Sequence, residues 1–228
     1  RNNQKLKEYT ASLEKSNSEL DRFASIVSHD LKAPLRAIGN LTGWIEEDAG
    51  DQMSNEARTN SDMIKQRVNR MEDLINAILD YSRADRRIGE DEKVDTNKLV
   101  IDTLDFIGKP DNAELIFTNQ LPVLFSDRTR LSQVFSNLIG NAIKYNDKPD
   151  IKVFVSSIET PEGYTFSVKD NGPGIDPLYH ERIFVIFQTL NRRDDVESTG
   201  VGLAIVKKIV EDCGGEVWVE SDLGKGAD

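Results

Sequence analysis

The chain has 228 residues, of which 30% are charged and 38% hydrophobic, with a net charge of -11 and a pI near 4.8. That length suits one large domain or two small ones. The acidic balance, with no block of Lys and Arg, argues against direct nucleic-acid binding. No run approaches the roughly 18 apolar residues of a membrane-spanning helix. A single cysteine, Cys213, excludes an internal disulfide and fits a reducing cytoplasm. No signal peptide is visible, and the chain starts at Arg1 in mid-pattern, so it reads as a cytoplasmic piece of a longer protein that missing segments could anchor to a membrane.

The first predicted element is a coiled-coil helix. Leu6, Tyr9, Leu13, Ser16, Leu20, Phe23 and Val27 follow 3-4 spacing, and only Ser16 is polar. A single amphipathic helix packed on its own domain would carry the same pattern. Apolar positions continue at Leu31, Leu35, Ile38, Leu41 and Ile45, with a repeated four-residue step that resembles a stutter. Pro34 lies at that break and removes one backbone donor.

Within this run His29 is followed directly by Asp30. An imidazole is a nucleophile near neutral pH, and a neighbouring carboxylate can hold its tautomer and accept its proton. Val27 and Leu31 each lie about 200° around a helix from His29. If those two face a core, His29 faces away and a second domain can reach it. Taken alone, a His-Asp pair is more often a solvated helix surface.

A loop is expected over Asp48–Ser54, with Ser54 as N-cap. A second helix follows, with Ala57, Ser61, Ile64, Val68, Met71, Ile75, Ile78 and Ser82 at 4-3 spacing. Such a hairpin has too little core to stand alone, and two copies would make a four-helix bundle. A charged linker is expected over Arg83–Lys93.

Beyond it the pattern turns mixed α/β. Helices are expected over Thr96–Ile107, Asp127–Tyr145 and Leu203–Asp212, with a further one around PLYHERIF. IKVFVSS, YTFSVKD and VWVES alternate like strands. Asn137 and Asn141 share a helix face, with Lys144 three residues on. An amide oxygen can ligate Mg²⁺ beside phosphates and water, and a lysine can neutralise phosphate charge. Asp170 ends a strand before Gly172 and Gly174, where backbone can approach a ligand closely. Gly200 and Gly202 precede an apolar helix whose N-terminus can hold phosphate. The P-loop pattern is absent. Each segment alone also fits an ordinary cap, turn or loop junction.

Taken together, SHDLKAPLRAI, NLIGNAIKYN, DNGPG and TGVGLAIVKKIVE resemble, in order, the H, N, G1 and G2 boxes of sensor histidine kinases. The resemblance runs from about Leu20 to the end of the chain. It implies a helical hairpin forming a dimeric four-helix bundle, followed by an α/β-sandwich ATP-binding domain of the type shared with gyrase and heat-shock chaperones. The expected domains are a signalling helix over 1–21, a dimerisation and phosphotransfer domain over 22–90 and a catalytic domain over 91–228. It implies ATP and Mg²⁺ as cofactors and His29 as phosphoacceptor, with Asp30 beside it. By resemblance Asn141 is the metal ligand, Lys144 a phosphate contact, Tyr145 a pocket wall and Asp170 the reader of the adenine amino group. Asn137, Gly172, Gly174, Gly200, Gly202 and Leu203 complete the nucleotide set. QTLNRRDDVEST would form a lid, with Arg192 and Arg193 as candidate phosphate contacts.

The implied partners are a second copy of the chain, a response-regulator receiver domain and an upstream sensor in the same chain, with no nucleic acid. Three departures stand out. Ser198 replaces a frequent glycine, Ala33 replaces the threonine or asparagine that orients a water for phosphatase work, and GKGAD stops short of an expected final strand. The alternatives are a superfamily ATPase clamp and a nucleotide-binding dimerisation module without kinase activity.

Overall fold

The computed structural model describes residues 2–84, 90–190 and 199–228, with side chains from residue 26 onward. These fall into two compact units, one ending at Arg83 and the other holding most of the chain from Ala84 on.

The first unit is an antiparallel helical hairpin. Helix α1 runs from Asn2 to Ala49 with Pro34 inside it, and α2 runs from Asn55 to Arg83. A 3₁₀ turn over Gly50–Gln52 lies between them. The expected loop is therefore shorter than the sequence suggested. Ser54 caps α2, its hydroxyl oxygen accepting from the Ala57 N–H at 3.1 Å.

The hairpin seam repeats every seven residues on each helix. Ser28, Leu35 and Thr42 of α1 and Ser61, Val68 and Ile75 of α2 are buried. Three of these six, Ser28, Thr42 and Ser61, are polar, and the periodic pattern read from the sequence includes Ser61 but passes over Ser28 and Thr42. Thr42 is accommodated because its hydroxyl donates to the Ile38 carbonyl at 2.8 Å. Near the turn, Glu46 accepts from the Ser61 hydroxyl at 2.5 Å and from the Lys65 ammonium. The Lys65 bond first, then that of Ser61, lowers the Glu46 carboxyl below its ordinary range. The other apolar heptad row faces outward. Leu31, Ile38, Leu41, Ile45, Ile64, Met71 and Ile78 are 40 to 59% exposed in the single chain.

The second unit stacks three helices on a three-stranded sheet, with a separate two-stranded ribbon. The ribbon pairs β1 (Glu92–Asp95) with β3 (Val123–Ser126), antiparallel. In the sheet, β4 (Ile151–Thr160) lies between β2 (Ala113–Phe117), parallel to it, and β5 (Gly163–Asp170), antiparallel. The helices are α3 (Thr96–Ile107), α4 (Arg128–Lys144) and α5 (Gly202–Asp212). Asp95 caps α3, accepting from the Lys98 N–H, and Asp127 caps α4, accepting from the Thr129 and Arg130 N–H groups.

The core follows from two periodicities. Phe135, Ile139 and Ala142 recur at helical spacing on α4, while Ile151, Val153 and Val155 alternate on β4, and all are buried. Phe135 meets Phe166 of β5 edge to face, centroids 5.5 Å apart. Arg130, buried on α4, donates to Asp212 at 2.5 Å and to the Ile209 carbonyl, fastening α4 to the end of α5.

Several expectations need correcting. The strands β1, β2 and β3, four to five residues each, are too short for periodicity to announce, and β1 begins inside the expected linker. PLYHERIF forms two 3₁₀ turns over Pro177–Tyr179 and Arg182–Phe184 in place of one helix; Asp176 and Pro177 are helix-start signals, but the turn they open is not continued past Tyr179. VWVES alternates like a strand but forms no ladder. Only Glu220 and Ser221 find partner backbone, at Asp228 and Ala227, and a strand needs a longer run of partners than that. No described helix is long and apolar enough to cross a membrane.

Candidate functional site

In the hairpin unit, the His29 side chain is 86% exposed and that of Asp30 72%, with Nδ1 of the ring 3.2 Å from Asp30 Oδ1. The physical reason for this outward bearing differs from the expected one. Leu31 is half exposed, and Ser28 rather than Val27 or Leu31 fills the seam against α2. One residue on, about 100° around the helix, the ring points clear of the seam. With Nδ1 engaged by Asp30, Nε2 is the nitrogen left to solvent. Ala33, one turn further, is exposed and presents only a methyl group.

In the second unit, α4 joins the remaining motifs. Asn137 donates to the Gln133 carbonyl at 2.8 Å, and its side-chain oxygen lies against the start of α5. A Cβ on Gly202 would sit 2.6 Å from it, so any larger residue there would push the Asn137 amide aside. One turn on, Asn141 is half buried, with its amide engaged by no partner among the described residues. Lys144 is exposed and Tyr145 ends the helix, half buried.

The N-cap residue of helix α5, Val201, makes no side-chain cap bond, so among the described residues donors in the first turn, where Leu203 lies, are open to another acceptor. Gly200 just ahead of it has φ 67°, and a Cβ there would meet the Gln188 carbonyl at 2.7 Å. Its own carbonyl accepts from Phe187 N–H at 2.8 Å. Arg192, Arg193 and Ser198 lie outside the described residues.

Asp170 closes β5. Its Oδ1 accepts from the N–H of Gly172 at 2.7 Å and of Ala227 at 3.2 Å. Burial nonetheless pushes the carboxyl above its ordinary range, with Asp228 adding to the rise and the two N–H groups opposing it. The C-terminal loop wraps this turn closely. A Cβ on Gly226 would lie 2.1 Å from the Asp170 carbonyl, and one on Gly174 2.0 Å from that of Asp222. Ser221 ties the two loops, accepting from Ile175 N–H and donating to the Gly226 carbonyl. His180, half buried, has Nε2 3.2 Å from the Ile175 carbonyl and serves packing.

Sequence reasoning passed over Gly226, Ala227 and Ser221, although GKGAD carries the two-glycine signal of a tight loop. It also passed over an amide pair, Asn146 and Asn171, which bond side chain to side chain at 3.0 Å.

A family model described as the histidine kinase-, DNA gyrase B- and HSP90-like ATPase matches residues 126–228. A second, the His Kinase A phosphoacceptor domain, matches residues 19–87. Cyanobacterial phytochrome B of Nostoc sp. is 41% identical over 220 residues, covering 94% of this chain and 29% of that protein. The methanogenesis regulatory histidine kinase FilI of Methanothrix harundinacea is 32% identical, covering 97% of this chain and 25% of that protein. The chain thus spans under a third of the length of these curated relatives. Among solved structures, full-length ShkA in complex with AMPPNP matches with a TM-score of 0.65 at 26% identity, over 90% of this chain and 43% of that one. With a phosphoacceptor hairpin followed by a domain of the ATP-binding type, the chain belongs to the sensor histidine kinases.

Proposed function

We propose that this chain takes the γ-phosphoryl group of ATP onto His29 and passes it to an aspartate of a response-regulator receiver domain. The observation that carries the reading is the His29–Asp30 pair. Nδ1 engaged by a carboxylate fixes the tautomer with its lone pair on Nε2. Nε2 bonds to the γ-phosphorus as the bond to the ADP oxygen breaks, and Asp30 takes up the Nδ1 proton. The ATP would lie in the second unit, with the adenine amino group at Asp170 and the phosphates at Lys144, Gly200, Gly202 and the first turn of α5.

Mg²⁺ would be held by the Asn141 amide oxygen, together with phosphate oxygens and water, and would neutralise phosphate charge. No cluster of three His, Cys, Asp or Glu side chains among the described residues offers a separate cage. We assign the segments as a signalling helix over 1–21, a phosphotransfer domain over 22–90 and a catalytic domain over 91–228. The outward apolar row of the hairpin supports a homodimer, and the use of ATP supports a cytoplasmic location. Relatives named as phytochromes, over three times as long, support an input region in the same protein.

The test is incubation with ATP labelled on the γ-phosphate. The expected outcome is acid-labile, base-stable label that falls to background in His29→Gln while ATP affinity stays within about twofold. Label that persists in that variant would move the acceptor elsewhere.

A further inference from the structure

We infer that Asn146 and Asn171 are positioning residues that aim the Asp170 carboxylate at the nucleotide base. The inference rests on the reading of Asp170 as the residue that reads the adenine amino group.

The β4–β5 ladder ends with Val153 opposite Asp170, so Asn171 would next pair with Lys152. At that point the backbone leaves the sheet to make the turn through Gly172 and Gly174. The Asn171 side chain takes its place. Its Oδ1 accepts from Lys152 N–H at 2.9 Å and its Nδ2 donates to the Asp150 carbonyl at 2.9 Å, as a peptide group of a continuing strand would. The turn is therefore free to approach a ligand while its root stays pinned to β4.

The second lone pair of Asn171 Oδ1 accepts from Asn146 Nδ2. Asn146 follows Tyr145 at the end of α4, and its own Oδ1 accepts from Lys148 N–H at 3.0 Å. The same side chain flanks Gly172, where a Cβ would lie 3.5 Å from its amide carbon and nitrogen. Gly172 N–H in turn holds Asp170 Oδ1. An unbroken set of bonds thus runs from the α4 end, which carries Tyr145 and Lys144, to the carboxylate. With Oδ1 bonded to two backbone N–H groups, the carboxylate cannot turn freely, and Oδ2 is presented for the base. An amide is required at 171 because one side chain must both accept twice and donate. A carboxylate there would set like charge beside Asp170 and oxygen against the Asp150 carbonyl.

The test is titration calorimetry of the whole chain with Mg·ATP and with the Mg²⁺ complex of purine riboside triphosphate, which lacks the 6-amino group. Variants are Asn146→Ala, Asn171→Ala, the double variant and Asp170→Ala. Asn146→Ala leaves both Asn171 bonds, to the Lys152 N–H and the Asp150 carbonyl, in place and so retains the fold. Loss of the aimed carboxylate should raise the ATP dissociation constant about tenfold in each single Asn variant while the analogue changes by less than about twofold. The double variant should match the singles within about twofold, because the pair acts as one unit. Parallel weakening of both nucleotides, or no change in either, would overturn the inference and leave packing as the role of the pair. Asp170→Ala separates the two levels: loss of the ATP preference there alone overturns only the positioning role. A preference that survives Asp170→Ala overturns the reading of Asp170 itself, and the inference with it.

Discussion

Burial raises the carboxyl of Asp170 against the pull of the Gly172 and Ala227 N–H groups, and the nearby Asp228 raises it further. A folded value above the unfolded one means that the folded chain holds this proton more tightly. The linked stability is present below the unfolded value of about 3.8 and is lost as pH rises through the raised folded value. Wherever the group is ionised it therefore weakens the nucleotide-free domain. Asp170→Asn keeps an acceptor for both N–H groups and removes the buried charge. It should raise the melting temperature of the ATP-free protein at pH 7 by about 2 °C, while Mg·ATP affinity falls at least about tenfold. Scanning calorimetry and titration calorimetry read the two effects, and a lowered melting temperature would reject the argument. At this scale the DNGPG motif was legible because its residues are contiguous. Ala227 was not, since it lies 57 positions along the chain from Asp170, and the Asn146–Asn171 bond was hidden in the same way by a separation of 25 positions.

Helix α2 shows what periodicity can and cannot tell. Its two apolar rows were both visible in sequence, but a heptad pattern does not say which row meets the neighbouring helix of the same chain. Structure assigns Ser61, Val68 and Ile75 to the hairpin seam and leaves Ile64, Met71 and Ile78 outside. On α1 the seam even contains polar Ser28 and Thr42, which no apolar count would select. The outer row is the surface on which a second copy would pack. Placing two charges there, Ile38→Glu with Met71→Glu, should weaken dimerisation at least about a hundredfold, because each carboxylate would be buried without a partner. Light scattering against concentration checks this, and an unaltered dimer would locate the interface elsewhere. The strand reading of VWVES failed for a related reason. Alternation marks a residue run as able to pair, but the partner must be supplied by another part of the chain.

The whole molecule divides into units with separate cores, Leu35, Val68 and Ile75 in one and the cluster around Phe135, Ile139 and Val153 in the other. That division predicts a simple experiment. The piece 90–228 should bind Mg·ATP within about threefold of the whole chain and incorporate no label, because it holds neither His29 nor Asp30. Mixed with the piece 1–89, it should label that piece on His29. Label on the piece 90–228 alone would contradict the assignment of the acceptor.

Helix α1 has a mechanical consequence. It is 48 residues of unbroken helix, about 70 Å at 1.5 Å per residue, and His29 sits past its midpoint with no joint between it and Asn2. A rigid rod of this kind converts torsion at one end into a swing of whatever it carries. A 20° turn about the axis displaces a point on the side-chain surface by about 2 Å. Misplacement of a reacting atom by 1 Å can cost about a hundredfold in rate. With His29 as the proposed acceptor, a modest twist at the far end of α1 would therefore suffice to bring the imidazole into line for attack or take it out.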